Sequence, residues 1–251
     1  MLCRREHLPF SDSTRRVNLF SLKERGAPDG IVIYCTDGQN VGAFAQQFFD
    51  AFGTDCFWFV GVDCSNEHRN AEYVIGRDDS SFRIHESFFV NTVVDWATDV
   101  IGLKHSRDQS AIFGYSCGGA FAASMGIRHP EVYGTIFAFS IAGRPITDFD
   151  ARSESDLSGV SFYFRAGSRE PKGMRNYMKR LEKWLSSAKA ETNSGTLQGG
   201  HEFSLWSCAL NESIPLAFTA SHDLLVNQHS TEPEPLASGP VENERKWWRF
   251  W

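Results

Sequence analysis

The chain has 251 residues, of which 41% are hydrophobic and 14% aromatic, and a formal net charge of −6. That supplies the core of one sizeable α/β domain, and the acidic balance argues against a nucleic-acid-binding surface. No apolar run approaches the ~18 residues of a membrane span, and the charged start Met1–His7 has no apolar stretch behind it, so a cytoplasmic location is expected.

In chain order, Arg16–Leu22 alternates and predicts a half-exposed early strand. A Pro28-Asp29-Gly30 turn precedes Ile31–Cys35, a β-branched run suited to a central strand, and Thr36–Asn40 reads as the loop after it. Ala43–Phe52 spaces Phe44, Phe48, Phe49 and Phe52 as a helix does, and Cys56–Val62 reads as a second buried strand. Phe82–Ile101 predicts a long amphipathic helix. Strands are expected at Ser110–Phe113, Tyr133–Ile141 and Val160–Ala166, with helices over Gly119–Gly126, over Gly173–Lys189 and over 203–210. Residues 146–159 are polar and acidic and read as a surface excursion. Strands thus alternate with helices, the rhythm of a mostly parallel sheet covered on both faces.

The organisation expected is a single domain over 1–226, with its core at about 15–212, and a flexible tail over 227–251. The tail holds Glu232-Pro233-Glu234-Pro235 and ends Lys246-Trp247-Trp248-Arg249-Phe250-Trp251. The six cysteines, at 3, 35, 56, 64, 117 and 208, show no zinc spacing. Cys35, Cys56 and Cys64 lie in or beside strand-like runs and are expected as buried thiols.

Gly114-Tyr115-Ser116-Cys117-Gly118 stands between a predicted strand and a predicted helix. Gly-x-Ser-x-Gly in that setting is the nucleophile elbow of the α/β-hydrolase fold, in which a strained serine projects above the sheet edge. Ser116 is therefore the candidate nucleophile, and the Cys117 amide is aimed at a developing oxyanion. The second oxyanion donor is sought in the loop after the first central strand, where the amide of Gln39 is the candidate, with Gly38 close behind.

A serine hydroxyl needs a base, and the base needs an orienting acid. Of eight histidines, His201 follows Ser116 late in the chain, in a Gly-Gly-His loop between strand and helix. His85 and His129 fall on or at the end of helices, His7, His68 and His105 in polar segments, and His222 and His229 in or near the tail. Glu170, just after the strand ending at Ala166, is the favoured acid. Asp148, Asp150 and Asp156 are alternatives, Glu202 is awkwardly adjacent to His201, and a Ser–His dyad stays open. No metal spacing, dinucleotide fingerprint or P-loop appears, so no cofactor is expected.

These pieces resemble one family, the esterases related to enterochelin esterases, feruloyl esterases and S-formylglutathione hydrolases. The likeness runs from about Gly30 to Leu210 and rests on several segments: Tyr34–Gln39, Arg69-Asn70-Ala71-Glu72-Tyr73, the elbow, His129–Gly134, Ala166–Glu170 and Gly199–Trp206. The resemblance implies an α/β-hydrolase with Ser116 as nucleophile, His201 as base and Glu170 as acid. Many members have Asp where Glu170 stands. The implied partner is a small-molecule ester: acyl, aryl or siderophore-type. A siderophore ester is strongly anionic, and Arg69, Arg144, Arg165 and Arg169 are candidate contacts for it. An acyltransferase using the same serine, or a non-catalytic binding relative, are the alternatives.

Overall fold

A computed structural model of the chain describes residues 1–26, 29–146 and 156–218. Strands β1 (Leu2–Phe10) and β2 (Ser13–Ser21) form a hairpin. Six further strands follow: β3 (Ile31–Cys35), β4 (Phe57–Val62), β5 (Ser110–Tyr115), β6 (Thr135–Phe139), β7 (Ser161–Gly167) and β8 (Glu191–Leu197). They make one sheet in the order β1-β2-β4-β3-β5-β6-β7-β8, antiparallel at the hairpin and where β2 meets β4, parallel elsewhere. This is the α/β fold expected.

Alternation along the central strands divides the core into two layers. Val32, Tyr34, Trp58, Val60, Ile112, Ile136 and Phe162 face one side. The helices there are α3 (Asp79–Ser87), α4 (Val94–Ile101), α5 (Cys117–Arg128) and α6 (Lys172–Ser187). Ile31, Ile33, Phe57, Phe59, Phe113 and Phe137 face α1 (Gly38–Phe52) and α7 (Phe203–Phe218) on the other. A short helix, α2 (Arg69–Tyr73), lies between β4 and α3. Burying side chains from both faces of a parallel sheet supplies most of the favourable free energy of such a fold.

Several boundaries differ from expectation. The early strand is not half-exposed: Val17–Ser21 is buried throughout, because Asn18 Nδ2 donates to Asp63 Oδ1 (2.8 Å), Asn18 Oδ1 accepts from Arg5 (2.8 Å) and Ser21 Oγ donates to the Lys23 carbonyl (2.6 Å). The loop expected over Thr36–Asn40 stops at Asp37, since α1 already starts at Gly38. The long helix expected at Phe82–Ile101 starts at Asp79, capped by the Asp78 carboxylate (3.0 Å to the Ser80 amide), and is interrupted by a π-helical turn over Phe88–Val93. β1, α2 and most of β8 were not legible: β8 buries none of its residues and so shows no apolar pattern. Cys35, Cys56 and Cys64 are buried as expected, and all six thiols are free. Pro28, most of the 146–159 excursion, Asp148, Asp150, His222, His229 and the tail lie outside the described residues.

Candidate active site

Parallel strands bring their carboxyl ends to one edge of the sheet, and four of those ends build the site. β5 ends at Tyr115 and α5 starts at Cys117, leaving Ser116 alone in the turn at φ 57°, ψ −127°. A non-glycine residue in such a conformation costs about 1–3 kcal/mol and persists only when its surroundings impose it. Here the Ser116 amide donates to the Phe139 carbonyl (3.0 Å), and the Ser116 carbonyl accepts from the amides of Gly119 (3.0 Å) and Ala142 (2.9 Å). A Cβ on Gly114 would land on the Gly118 carbonyl, and one on Gly118 would strike Thr36 Oγ1 and lie 3.1 Å from Asp37 Oδ2. The two glycines of the elbow are thus demanded by close approach.

β7 and β8 deliver the next two groups. The Ser168 amide donates to the Leu197 carbonyl (2.8 Å) and the Arg169 amide to the Gly199 carbonyl (2.9 Å), so the loops after these strands lie together. Gly167 permits it: a Cβ there would sit 2.7 Å from both the Gly199 and Gly200 carbonyls. The result is a continuous hydrogen-bonded row. Ser116 Oγ is 2.9 Å from His201 Nε2, and His201 Nδ1 is 2.9 Å from Glu170 Oε1. The Glu170 side chain is fully buried while His201 remains about one-third exposed (32%). Arg175 donates to the carbonyls of Ser168 (3.1 Å) and Glu170, holding that loop against α6.

Aromatic rings fix the imidazole from the side. Trp206 on α7 meets the His201 ring edge-to-face, with centroids 5.0 Å apart. The indole is itself held, stacked on Tyr115 (4.2 Å) and donating from Nε1 to Ser140 Oγ (2.8 Å). Neither Tyr115 nor Trp206 was singled out as a support from the sequence, and only their closeness to Ser116 and His201 along the chain could have marked them.

Of the other candidate acids, the two among the described residues are engaged elsewhere. Glu202 Oε1 accepts from the Gly200 amide (2.8 Å) and pairs with Arg169 (3.2 Å), while Asp156 pairs with Lys189 (3.0 Å) at the surface.

β3 provides the far side of the site. Asp37, its N-terminal neighbour Thr36 and Gly38 pack against the elbow and β4, and Gln39 falls in the first helical turn of α1, where amides have no partner within the helix. The amide of Cys117 likewise lies in the first turn of its helix, α5. The Cys117 thiol is pushed up by burial, with the Arg69 charge opposing, and donates to Asn70 Oδ1 (3.1 Å). Arg69 is not free for a ligand: it clamps Asp37 through two 2.8 Å bonds. Arg165 is buried too, donating to the carbonyls of Phe164 (2.9 Å) and Asn193 (3.0 Å). Arg144 and Arg169 are exposed. Among the described residues no His, Cys, Asp and Glu cluster could hold a metal ion, and no helix is long and apolar enough to cross a membrane.

A family model described as Putative esterase matches residues 23–216. The chain belongs to this esterase family. No curated protein sequence matches it. The enterobactin esterase FES from Shigella flexneri, solved in the presence of 2,3-dihydroxy-N-benzoyl-serine, is similar over 88% of this chain and 60% of its own, at 16% identity and TM-score 0.71. The siderophore hydrolase EstA from Aspergillus nidulans matches 88% of this chain and 95% of its own, at 14% identity and TM-score 0.65. A ferulic acid esterase matches 86% of this chain and 96% of its own, at 16% identity and TM-score 0.65. This esterase-family chain thus spans about 60% of the length of the enterobactin esterase, and at these identities the likeness is one of fold.

Proposed function

We propose that the chain is a serine esterase, hydrolysing a small acyl, aryl or siderophore-type ester through an acyl-enzyme on Ser116. The observation that carries this reading is the unbroken row from Ser116 Oγ through His201 to the buried Glu170 carboxylate, both gaps 2.9 Å. Ser116 Oγ attacks the ester carbonyl carbon while His201 Nε2 takes its proton, and Glu170 holds the ring with Nδ1 protonated. The oxyanion is met by the amides of Cys117 and Gln39, at the N-termini of α5 and α1. Collapse breaks the carbon–oxygen bond, and the departing alkoxide takes the proton from Nε2. Water then attacks the acyl-enzyme, giving one proton to His201, which returns it to Ser116 as the acid leaves.

Family membership supports ester hydrolysis, and the names of the similar structures support aryl and siderophore-type esters as the first to try. Arg69 and Arg165 are largely buried and already engaged, so an anionic ester would be met by the exposed Arg144 and by Arg169, which would exchange its surface partner Glu202 for the ligand. The test is hydrolysis of p-nitrophenyl esters from acetate to octanoate, with an aryl ester, by wild type and Ser116→Ala side by side. Serine-dependent turnover is expected, its chain-length profile reporting pocket size. Equal rates in the two proteins would refute the assignment.

A further inference from the structure

The turn that leads into the Gln39 amide at the start of α1 is tied to the elbow by an ion pair that the hydrolytic chemistry leaves unexplained. Asp37 stands in the left-handed conformation (φ 53°, ψ 49°) and is 2% exposed. It is held at three points by one short helix. Arg69 Nε and Nη2 donate to its two carboxylate oxygens, each at 2.8 Å, and the Asp37 amide donates to Tyr73 Oη at 3.0 Å. The same helix also grips the elbow. Arg69 Nη2 donates to the Tyr115 carbonyl (3.1 Å), and Asn70 Oδ1 accepts from the Cys117 thiol (3.1 Å). Tyr115 and Cys117 flank Ser116.

We propose, resting on the esterase reading above, that α2 is a strap acting through Arg69 as a positioning residue, fixing the Gln39-bearing turn against the elbow so that two amides meet one oxyanion. β3 and β5 are neighbouring parallel strands, with Cys35 opposite Phe113, so α1 and α5 spring from adjacent strand ends. Their spacing is set by what lies between them, and Asp37 Oδ2 fills that place, 3.1 Å from where a Gly118 Cβ would be. A carboxylate there is tolerable only if neutralised, because an unpaired negative charge beside an oxyanion opposes its formation. Burial alone would lower the Arg69 guanidinium, yet its bonds to Asp37 raise it, so the countercharge is permanent. Asn, Gln or Lys in place of Arg69 cannot make two parallel bonds to a carboxylate and a third to a carbonyl.

The experiment measures kcat, KM and trifluoromethyl ketone affinity on an ester that wild type hydrolyses, in Arg69→Ala and in Arg69→Met/Asp37→Asn. The ketone adds Ser116 Oγ as a hemiketal and so reports the oxyanion site apart from ground-state binding. Arg69→Ala is expected to lower kcat about a hundredfold, the scale of one lost oxyanion donor. Ketone affinity should fall in parallel while KM stays within about threefold. The double variant, which leaves no buried charge unpaired, should regain about tenfold of that loss, and it carries the test if Arg69→Ala does not fold. Millimolar guanidinium should partly restore Arg69→Ala, and urea should not. Unchanged kcat and ketone affinity in a folded variant would overturn the strap. So would a loss confined to KM, which would make Arg69 a substrate contact. If wild type itself neither turns over any ester nor binds the ketone, the esterase reading fails first, and the strap with it.

Discussion

The two flanks of Ser116 are held in opposite ways. On one, His201 and Glu170 ride on the loops after β8 and β7, joined by single hydrogen bonds, with the imidazole about one-third exposed. On the other, Asp37 and Arg69 are locked by paired bonds, with side chains 2% and 13% exposed. The difference follows from what each must do. In the proposed reaction the imidazole gains and loses a proton each turnover, so it is aligned but left within reach of water. The ion pair changes nothing during turnover and can be buried and multiply bonded, which makes it rigid.

Substitutions on the relay flank break or sharpen this contrast. Ser116→Ala should lower turnover at least about a thousandfold, as should His201→Ala, measured as kcat/KM. Glu170→Gln should cost about a hundredfold or more, because the amide no longer fixes the Nδ1-protonated tautomer. Glu202→Gln, beside His201 in the chain but bonded to Gly200 and Arg169, should stay within about threefold of wild type. Should those two results exchange places, the acid has been misassigned. Trp206→Phe keeps a ring against His201 but loses the bond to Ser140, and should reduce kcat about fivefold, the worth of one hydrogen bond.

The smallest effect concerns stability in acid and involves two groups outside the relay, Glu86 and His85, the latter packed against Tyr73 of α2. Burial alone would raise the Glu86 carboxyl, but His129 and Arg128 hold it at about 2, below its ordinary 4.5. Its contribution is therefore full above pH 4.5 and lost as pH falls toward 2. Burial among Phe10, Tyr73, Phe89 and Phe121 pushes His85 down to about 3 from 6.5, so the unfolded chain takes up that proton first and stability also drops as pH falls between those values. Denaturant midpoints should decline from pH 6.5 downward. His85→Phe should flatten the upper part of that decline, and an unchanged slope would contradict the assignment.

Much of this was legible because the informative positions obey local rules. The elbow glycines are imposed by sub-3 Å approaches to α5 and to Thr36 just after β3, and β-branched runs mark strands that are buried on both faces. Glu170 and His201 could be nominated because parallel topology sends every strand end to one edge. What was not legible depends on long-range pairing. The Asp37–Arg69 pair joins residues 32 apart, and Arg69 in isolation reads as a free cation suited to an anionic substrate. Arg165 misled in the same way, since a guanidinium bonded to carbonyls of its own sheet leaves no trace in spacing. Asn18 and Ser21 broke the apolar pattern of β2 because their partners, Asp63 and Lys23, satisfy them while buried.

The most direct test of an activated Ser116 is fluorophosphonate labelling of wild type and His201→Ala, with the modified peptide mapped by mass spectrometry. The account predicts one adduct on wild type, at Ser116, and its loss when His201 is removed. An unlabelled but folded wild type, or an adduct on another serine, would contradict it.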